Sequence, residues 1–257
     1  MNVMITNDDG IYAKGIDALV KEFSKKGHKV FVVAPERERS AVSQAITLHK
    51  PLRIQGVDKW KDIEAYAVNG TPTDCSKLGL TELIKEPVDV VVSGINKGPN
   101  LGTDVLYSGT VSAAIEATII GVPAIAISLV GHNNELDYTF AAQVAEKLAV
   151  ELLKQGVPKD TLLNVNVPHL PKNEIKGVAI TSLGQRRYDK LFHRREDPRG
   201  NVYYWMVGEV QDYIEDQNTD VAKIKENYIT ISPIHFDFTK YNLINMLENW
   251  QLDEKLF

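Results

Sequence analysis

Cysteine is almost absent from this 257-residue chain; Cys75 is the only one. A single thiol excludes an internal disulfide and suits a reducing compartment. The N-terminus has neither the basic segment nor the apolar stretch of a signal peptide. No apolar run reaches the roughly 18 residues that cross a bilayer. The richest stretch, "AIEATIIGVPAIAISLVG", is broken by Glu116 and Pro123. These absences make the cytoplasm the expected setting. Positive charge is not in surplus either. The net charge is −5, which argues against a protein that tracks nucleic-acid backbone, because such binding needs dense Lys and Arg against the phosphates. A mononucleotide stays open, since one metal ion balances its charge.

Several catalytic signatures are missing as well. There is no G-x-x-x-x-G-K-[ST] phosphate loop and no G-x-G-x-x-G fingerprint, so triphosphate hydrolysis and dinucleotide redox chemistry have little support. A cysteine phosphatase needs Arg six positions after its nucleophile, and Thr81 stands there. A haloacid-dehalogenase-type phosphatase wants aspartates two apart on one strand face, whereas Asp8 and Asp9 are adjacent. No G-x-S-x-G elbow marks an esterase. No Cys/His cluster has zinc-ligand spacing.

What is present is an average globular composition, with 44% hydrophobic and 25% charged residues. The length allows one large α/β domain or a domain with a sizeable appendage. The first part alternates buried strands with amphipathic helices. Strands are predicted at Val3–Ile5, "KVFVVAP", "EAYAVNG", "VDVVVSGIN", "VPAIAISLV" and "LLNVNVP". Helices are predicted at "GIDALVKEFSKKG", "TDCSKLGLTELI" (capped by Thr73 or Asp74), "SGTVSAAIEATIIG" and "DYTFAAQVAEKLAVELLKQG". This is βαβ grammar: a Rossmann-like, mostly parallel sheet with helices on both faces. Beyond roughly residue 180 the pattern changes. "GQRRYDKLFHRREDPRGNVYYWMVGEV" reads as a hairpin turning at Asp197-Pro198-Arg199-Gly200. Its Tyr, Trp and Arg content suits either a second subunit or packing on its own chain. A capped helix and final strand follow in "TDVAKIKENYITISPI", then a C-terminal helix in "TKYNLINMLENWQL". The expected division is therefore a core over 1–180 and an oligomerising arm and helix over 181–257.

In a parallel sheet, ligands bind beyond the carboxyl ends of the strands. Four polar loops collect there: "NDDG", "PERERSAVSQ", "NGTPTD" and the long "SGINKGPNLGTDVLYSGT". Asp9-Gly10 is also an ordinary turn dipeptide. Two neighbouring carboxylates repel by about 4 kcal/mol at roughly 4 Å in a partly screened setting, and a divalent cation removes that cost. Asp8 and Asp9 joined by neutral oxygens from Ser40 and Asn96 make a hard-oxygen set suited to Mg²⁺, Mn²⁺ or Ca²⁺. Ser108, Gly109 and Thr110 open a helix whose free amides attract an anion, although Ser108 or Thr110 as a simple cap gives the same pattern. Asn100, Gly102, Thr103 and Asp104, in the longest loop, are further pocket candidates. A metal beside an anion-binding helix start points to phosphate chemistry.

These same residues carry a resemblance. "ITNDDG", "APERERSAVSQAITL", "VNGTPTDC", "VSGINKGPNLGTDVLYSGTVSAAIEA" and "TDVAKIKENYITISPI" are similar, in order over roughly residues 1 to 240, to the SurE family of stationary-phase survival proteins. The resemblance implies a Rossmann-like core whose C-terminal hairpin and helix reach a neighbouring subunit in a homodimer or homotetramer. It implies one divalent cation per subunit on Asp8, Asp9, Ser40 and Asn96, and a phosphate turn at Ser108, Gly109 and Thr110. The implied activity is hydrolysis of nucleoside 5′- and 3′-monophosphates, with short polyphosphate as a further substrate. Mechanistically, Asp9 is favoured over Asp8 as base toward water, with a covalent aspartyl-phosphate as the alternative. His235, after the last predicted strand, is the candidate general acid. Two other classes compete: a metal- and nucleotide-binding sensor without turnover, and an assembly module acting through its aromatic arm.

Overall fold

The computed structural model describes residues 1–131, 135–158, 160–189 and 192–256. The chain alternates β1 (Asn2–Thr6), α1 (Lys14–Lys25), β2 (Lys29–Pro35), β3 (Ile54–Gly56), β4 (Glu64–Val68), α2 (Pro72–Leu78), β5 (Val90–Lys97) and α3 (Gly109–Ile120). It continues through β6 (Ala124–Val130), α4 (Thr139–Gln155), β7 (Thr161–Pro168) and β8 (Gly177–Ile180). The hairpin arm holds β9 (Gln185–Asp189), β10 (Phe192–Glu196), β11 (Val202–Met206) and β12 (Glu209–Tyr213). After it come α5 (Asp220–Lys225), β13 (Tyr228–His235), α6 (Ile244–Glu248) and α7 (Leu252–Leu256).

One nine-stranded sheet runs β3-β4-β2-β1-β5-β6-β7-β13-β8. From β4 to β7 every pairing is parallel; β3 and β13 pair antiparallel with β4 and β7. Strand order reverses between β1 and β5, the switch point where such sheets open a crevice. The strands are apolar on both faces because helices cover both. Val3, Ile5, Val92 and Ile127 pack under α1 and α4 with Ile16, Leu19 and Phe23. Met4, Val33, Val91 and Ala126 pack under α2 and α3 with Cys75, Val111 and Ala114. Small residues let α3 sink until its first ten positions are buried. Helix α2 starts two residues earlier than a cap at Thr73, and three earlier than a cap at Asp74, would place it. Thr71 is the cap, Pro72 opens the helix, and Asp74 closes a reciprocal capping box back onto the Thr71 amide. No helix among the described residues is long and apolar enough to cross a membrane.

The arm is two antiparallel ribbons in series, β9 with β12 and β10 with β11, and Asp197 holds the turn by accepting from the Arg199 and Asn201 amides. Past the arm, β13 returns to the sheet and inserts between β7 and β8. The C-terminal helical stretch is broken: Gln251 takes a left-handed φ of 48° between α6 and α7.

Candidate active site

Two adjacent aspartates diverge here because Asn7 folds the chain directly after β1. Its buried amide donates to the Gly10 carbonyl at 2.9 Å and accepts from the Gly10 amide at 3.1 Å. Gly10 sits at φ +95°, and a Cβ there would lie 3.0 Å from the Arg37 backbone, so only glycine fits. Across this turn the Arg39 amide donates to the Asp8 carbonyl at 2.8 Å, tying the loop after β2 to the same place.

Asp8 turns toward α3. The Thr110 hydroxyl donates to its carboxylate, and the Thr110 amide faces it as well. Gly109 makes the approach possible, because a Cβ there would stand 2.8 Å from Asp8 Cβ. Asp9 turns the other way, toward β5, and accepts from the Lys97 amide at 3.1 Å. Both carboxyls resist ionisation. Burial pushes Asp8 up to about 6 against the hydrogen bond from Thr110, and the charge of Asp9 adds to the rise. Burial also raises Asp9, against the Lys97 amide, with Glu38 adding repulsion. Although they turn different ways, the charge of Asp9 still reaches Asp8, and a cation shared by both carboxylates would relieve that repulsion.

The remaining donors fit that reading. Asn96 follows a shift of register in β5, and its Nδ2 donates to the Gly98 carbonyl at 2.9 Å, which leaves its oxygen as the free donor. Lys97 being both its neighbour and the donor to Asp9 brings Asn96 beside that carboxyl. Ser40 is exposed and donates to Glu38 Oε1 at 2.7 Å, the same Glu38 whose charge acts on Asp9. Among the described residues no three His, Cys, Asp or Glu side chains cluster as a metal group. The set is two carboxylates plus neutral oxygens, which suits a hard cation.

At the start of α3, the Ser108 hydroxyl accepts from the Val111 amide at 3.1 Å and so caps the helix. Thr110 is spent on Asp8. What the turn presents outward is therefore backbone, with Ser108 and Thr110 holding it in shape.

Two expectations meet a different geometry. His235 ends β13, and β13 runs antiparallel to its neighbour β7, pairing His235 with Thr161. Asn96 is level with Ser128 and hence with Asn166. Five residues separate Asn166 from Thr161, about 16 Å along a strand. His235 thus lies at the opposite edge of the sheet, and within one chain it cannot serve as acid to Asp8 and Asp9. The second concerns the long loop. Asn100 is buried and bonded to Ser128, Asn164 and Asn166. Gly102 donates to Asp220, Thr103 exchanges bonds with the Arg186 backbone, and Asp104 takes Arg186 and Tyr188. These four residues fasten the loop rather than face a ligand.

The sequence reading passed over Asn7, Glu38, Lys97 and Tyr138. A cleft of about 280 Å³ opens beside Asp9, lined by Lys14, Glu38, Lys97, Leu136 and Tyr138. Burial raises the Tyr138 hydroxyl, and the charge of Asp9, which lines the same cleft, raises it further. Only Asn7, sitting at the strand end before two aspartates and a glycine, carried a signal in the sequence.

The geometry has counterparts elsewhere. The sequence profile described as Survival protein SurE matches residues 3–190. The chain is 50% identical over 252 residues to the 5′-nucleotidase SurE of Thermoanaerobacter sp. (strain X514), covering 98% of this chain and 99% of the relative. It is 50% identical over 262 residues to the 5′-nucleotidase SurE of Natranaerobius thermophilus, covering 99% and 100%. Among solved structures, the SurE protein from Aquifex aeolicus superposes with a TM-score of 0.84 at 37% identity, covering 98% of this chain and all of the other.

Proposed function

The chain belongs to the SurE family, and from that premise we propose that the crevice between β1 and β5 is where it removes phosphate from nucleotides as a metal-dependent phosphomonoesterase. The observation that carries this assignment is that Asp8 and Asp9, held on different elements, remain close enough for the charge of one to act on the other. One carboxylate sits on the head of α3 and the other beside Asn96, both held against their charge.

In this reading Asp8, Asp9, Asn96 and Ser40 hold one Mg²⁺, Mn²⁺ or Ca²⁺ per subunit. When bound, the cation supplies charge neutralisation at a phosphate oxygen and a lowered pKa for a coordinated water. The rest falls to the chain. The Gly109 amide, at the positive end of α3, receives an equatorial phosphate oxygen, with Thr110 bracing the turn against Asp8. Ser108 fixes that turn by capping Val111. Asp9 faces the open cleft while Asp8 is buried against α3, so Asp9 is the carboxylate placed to take a proton from an attacking water. Nucleoside 5′- and 3′-monophosphates fit as substrates, with short polyphosphate as a further one. Self-association through the arm is part of the same proposal, since β11 turns a row of aromatic side chains outward. A sensor without turnover is disfavoured by the nucleotidase names of the curated relatives.

The direct test is phosphate release from AMP in the presence of Mn²⁺. Turnover is expected with the native chain and is expected to vanish on chelation. Rapid-quench trapping with labelled AMP separates the two chemistries: a labelled protein would replace the water-attack step with an aspartyl-phosphate. Turnover that survives exhaustive chelation would overturn the metal assignment altogether.

A further inference from the structure

The loop from Gly98 to Tyr107 joins β5, which ends beside Asp9, to Ser108 at the head of α3. What holds this loop is the root of the hairpin arm. The Arg186 side chain, only 10% exposed, spans two carboxylates from different segments. Its Nη1 donates to Asp104 at 2.8 Å and its Nε to Asp212 at 2.9 Å. Its backbone exchanges hydrogen bonds with the Thr103 hydroxyl, at 3.0 and 3.3 Å. Tyr188 adds a bond to the same Asp104 oxygen at 2.6 Å. Below them, Asp220 accepts from the Gly102 and Gly184 amides, both at 2.8 Å. The fit is tight: a Cβ on Gly102 would lie 2.6 Å from the Gly184 carbonyl.

The fastened turn then leads directly into the site. The Asp104 carbonyl accepts from the Tyr107 amide at 3.0 Å, one residue before Ser108. Ser43, in the loop that carries Ser40, donates its amide to Tyr107 at 3.1 Å and its hydroxyl to Leu106 at 2.7 Å. A guanidinium is a rigid planar fork that can bridge two acceptors, which a lysine ammonium on a flexible stem does not reproduce. Without Arg186, Asp104 and Asp212 would be left as close, half-buried like charges. Lys225 stays on Asp212 at 2.7 Å, so Asp104 is the one that loses its counter-charge and is pushed out.

We propose that Arg186 is a positioning residue for phosphate binding: by clasping Asp104 and Asp212 it locks the loop ahead of Ser108 to the root of the arm, so the seating of the arm sets the aim of the Ser108–Thr110 turn. The inference rests on the reading of that turn as the phosphate site. It makes phosphate affinity the property that Arg186 controls most and cation affinity the lesser one, because Asp9 is held by the Lys97 amide outside the clasp while Asp8 meets the turn through Thr110.

The experiment compares the native protein with Arg186→Ala, Arg186→Lys and Asp104→Asn. It measures inhibition of AMP hydrolysis by inorganic phosphate, KM and kcat for AMP, and Mn²⁺ affinity by calorimetry. For Arg186→Ala, the phosphate inhibition constant and KM should rise between about ten- and a hundredfold while Mn²⁺ affinity falls by clearly less, about threefold or under. Arg186→Lys should recover only part of the loss, and the Arg186→Ala/Asp104→Asn pair should be no worse than Arg186→Ala alone. Equal weakening of phosphate and Mn²⁺, an unchanged phosphate constant in a folded variant, or full rescue by lysine would overturn the proposal. If Arg186→Ala does not fold, Arg186→Lys and Asp104→Asn carry the same comparison. Ser108→Ala serves as the control: if it also leaves phosphate inhibition unchanged, the phosphate turn itself is misplaced, whereas a loss there with none at Arg186 sinks only the clasp.

Discussion

Around Asp8 the chain buries charge inside its own frame, whereas along β11 it turns apolar side chains out of that frame. Asp8 is 4% exposed; Tyr204, Trp205 and Met206 are 60%, 63% and 68% exposed. Each region is locally unfavourable, in opposite ways. The first holds carboxylates where their ionised form is penalised, a condition relieved by a cation. The second keeps in water an aromatic surface of the kind that interfaces cover. The contrast teaches what each half of the proposal asks of the molecule: a small ion at the first place and a neighbouring subunit at the second.

The strongest way to break this comparison is at the carboxylates. Asp8→Asn or Asp9→Asn should cut phosphate release from AMP by about a hundredfold to a thousandfold or more, with little change in the circular-dichroism spectrum. Equal activity in either variant would remove the chemical half of the contrast.

pH comes next. Asp8 titrates near 6 in the folded chain against an ordinary value of 3.8. Its contribution to stability is therefore complete below 3.8 and lost as pH rises through 6, worth at most about 3 kcal/mol. Urea unfolding of the metal-free protein should show this loss between pH 3.8 and about 6, and Mn²⁺ should remove it by favouring the ionised form. At the arm root the sign is opposite. Lys225 and Arg186 hold Asp212 below its ordinary range despite burial, so that group stabilises above the range and the stability is lost as pH falls through its depressed value.

Two glycines sharpen the comparison further. Gly109→Ala drives a Cβ to 2.8 Å from Asp8, and should cost about 1–3 kcal/mol of stability together with turnover. Gly200→Ala, in the arm turn at φ +82° with nothing within 4 Å, should cost about 1–2 kcal/mol and leave AMP hydrolysis intact. The smallest effect is expected on β11. Replacing Tyr204 and Trp205 with Ser should change subunit stability by no more than about 0.5 kcal/mol, yet lower the mass measured by light scattering if the arm pairs subunits.

Much of this was readable in residue order. The buried strands β1, β2, β5, β6 and β7 declare themselves because both of their faces are apolar, and the helices between them because one face is. Strands β3 and β8 were missed: at three and four residues, largely exposed, they carry no run long enough to see. The cap of α2 was misplaced by two or three residues because Asp74 belongs to the capping box as its third helical residue and not as the cap. Asp8, Asp9 and Asn96 are legible as candidates because they lie at the ends of strands that run in one direction. His235 was misjudged for the same reason inverted, since nothing in a strand's composition tells that β13 runs the other way. The loop from Asn100 to Asp104 looked like a ligand pocket because it is polar and long. Its partners, Asn164, Arg186 and Asp220, lie 64 to 118 residues away in sequence, and only the fold brings them there.

Gly15, the second residue of α1, shows how little room the crevice has to spare. A Cβ there would fall 2.1 Å from the carbonyl oxygen of Ile95, the residue immediately before Asn96. One hydrogen atom thus gauges the spacing between two layers of the molecule. A methyl group in its place would act as a shim under the helix, prising the end of β5 away from the strand beside it, so a library of variants at position 15 should be empty of active clones other than the parent.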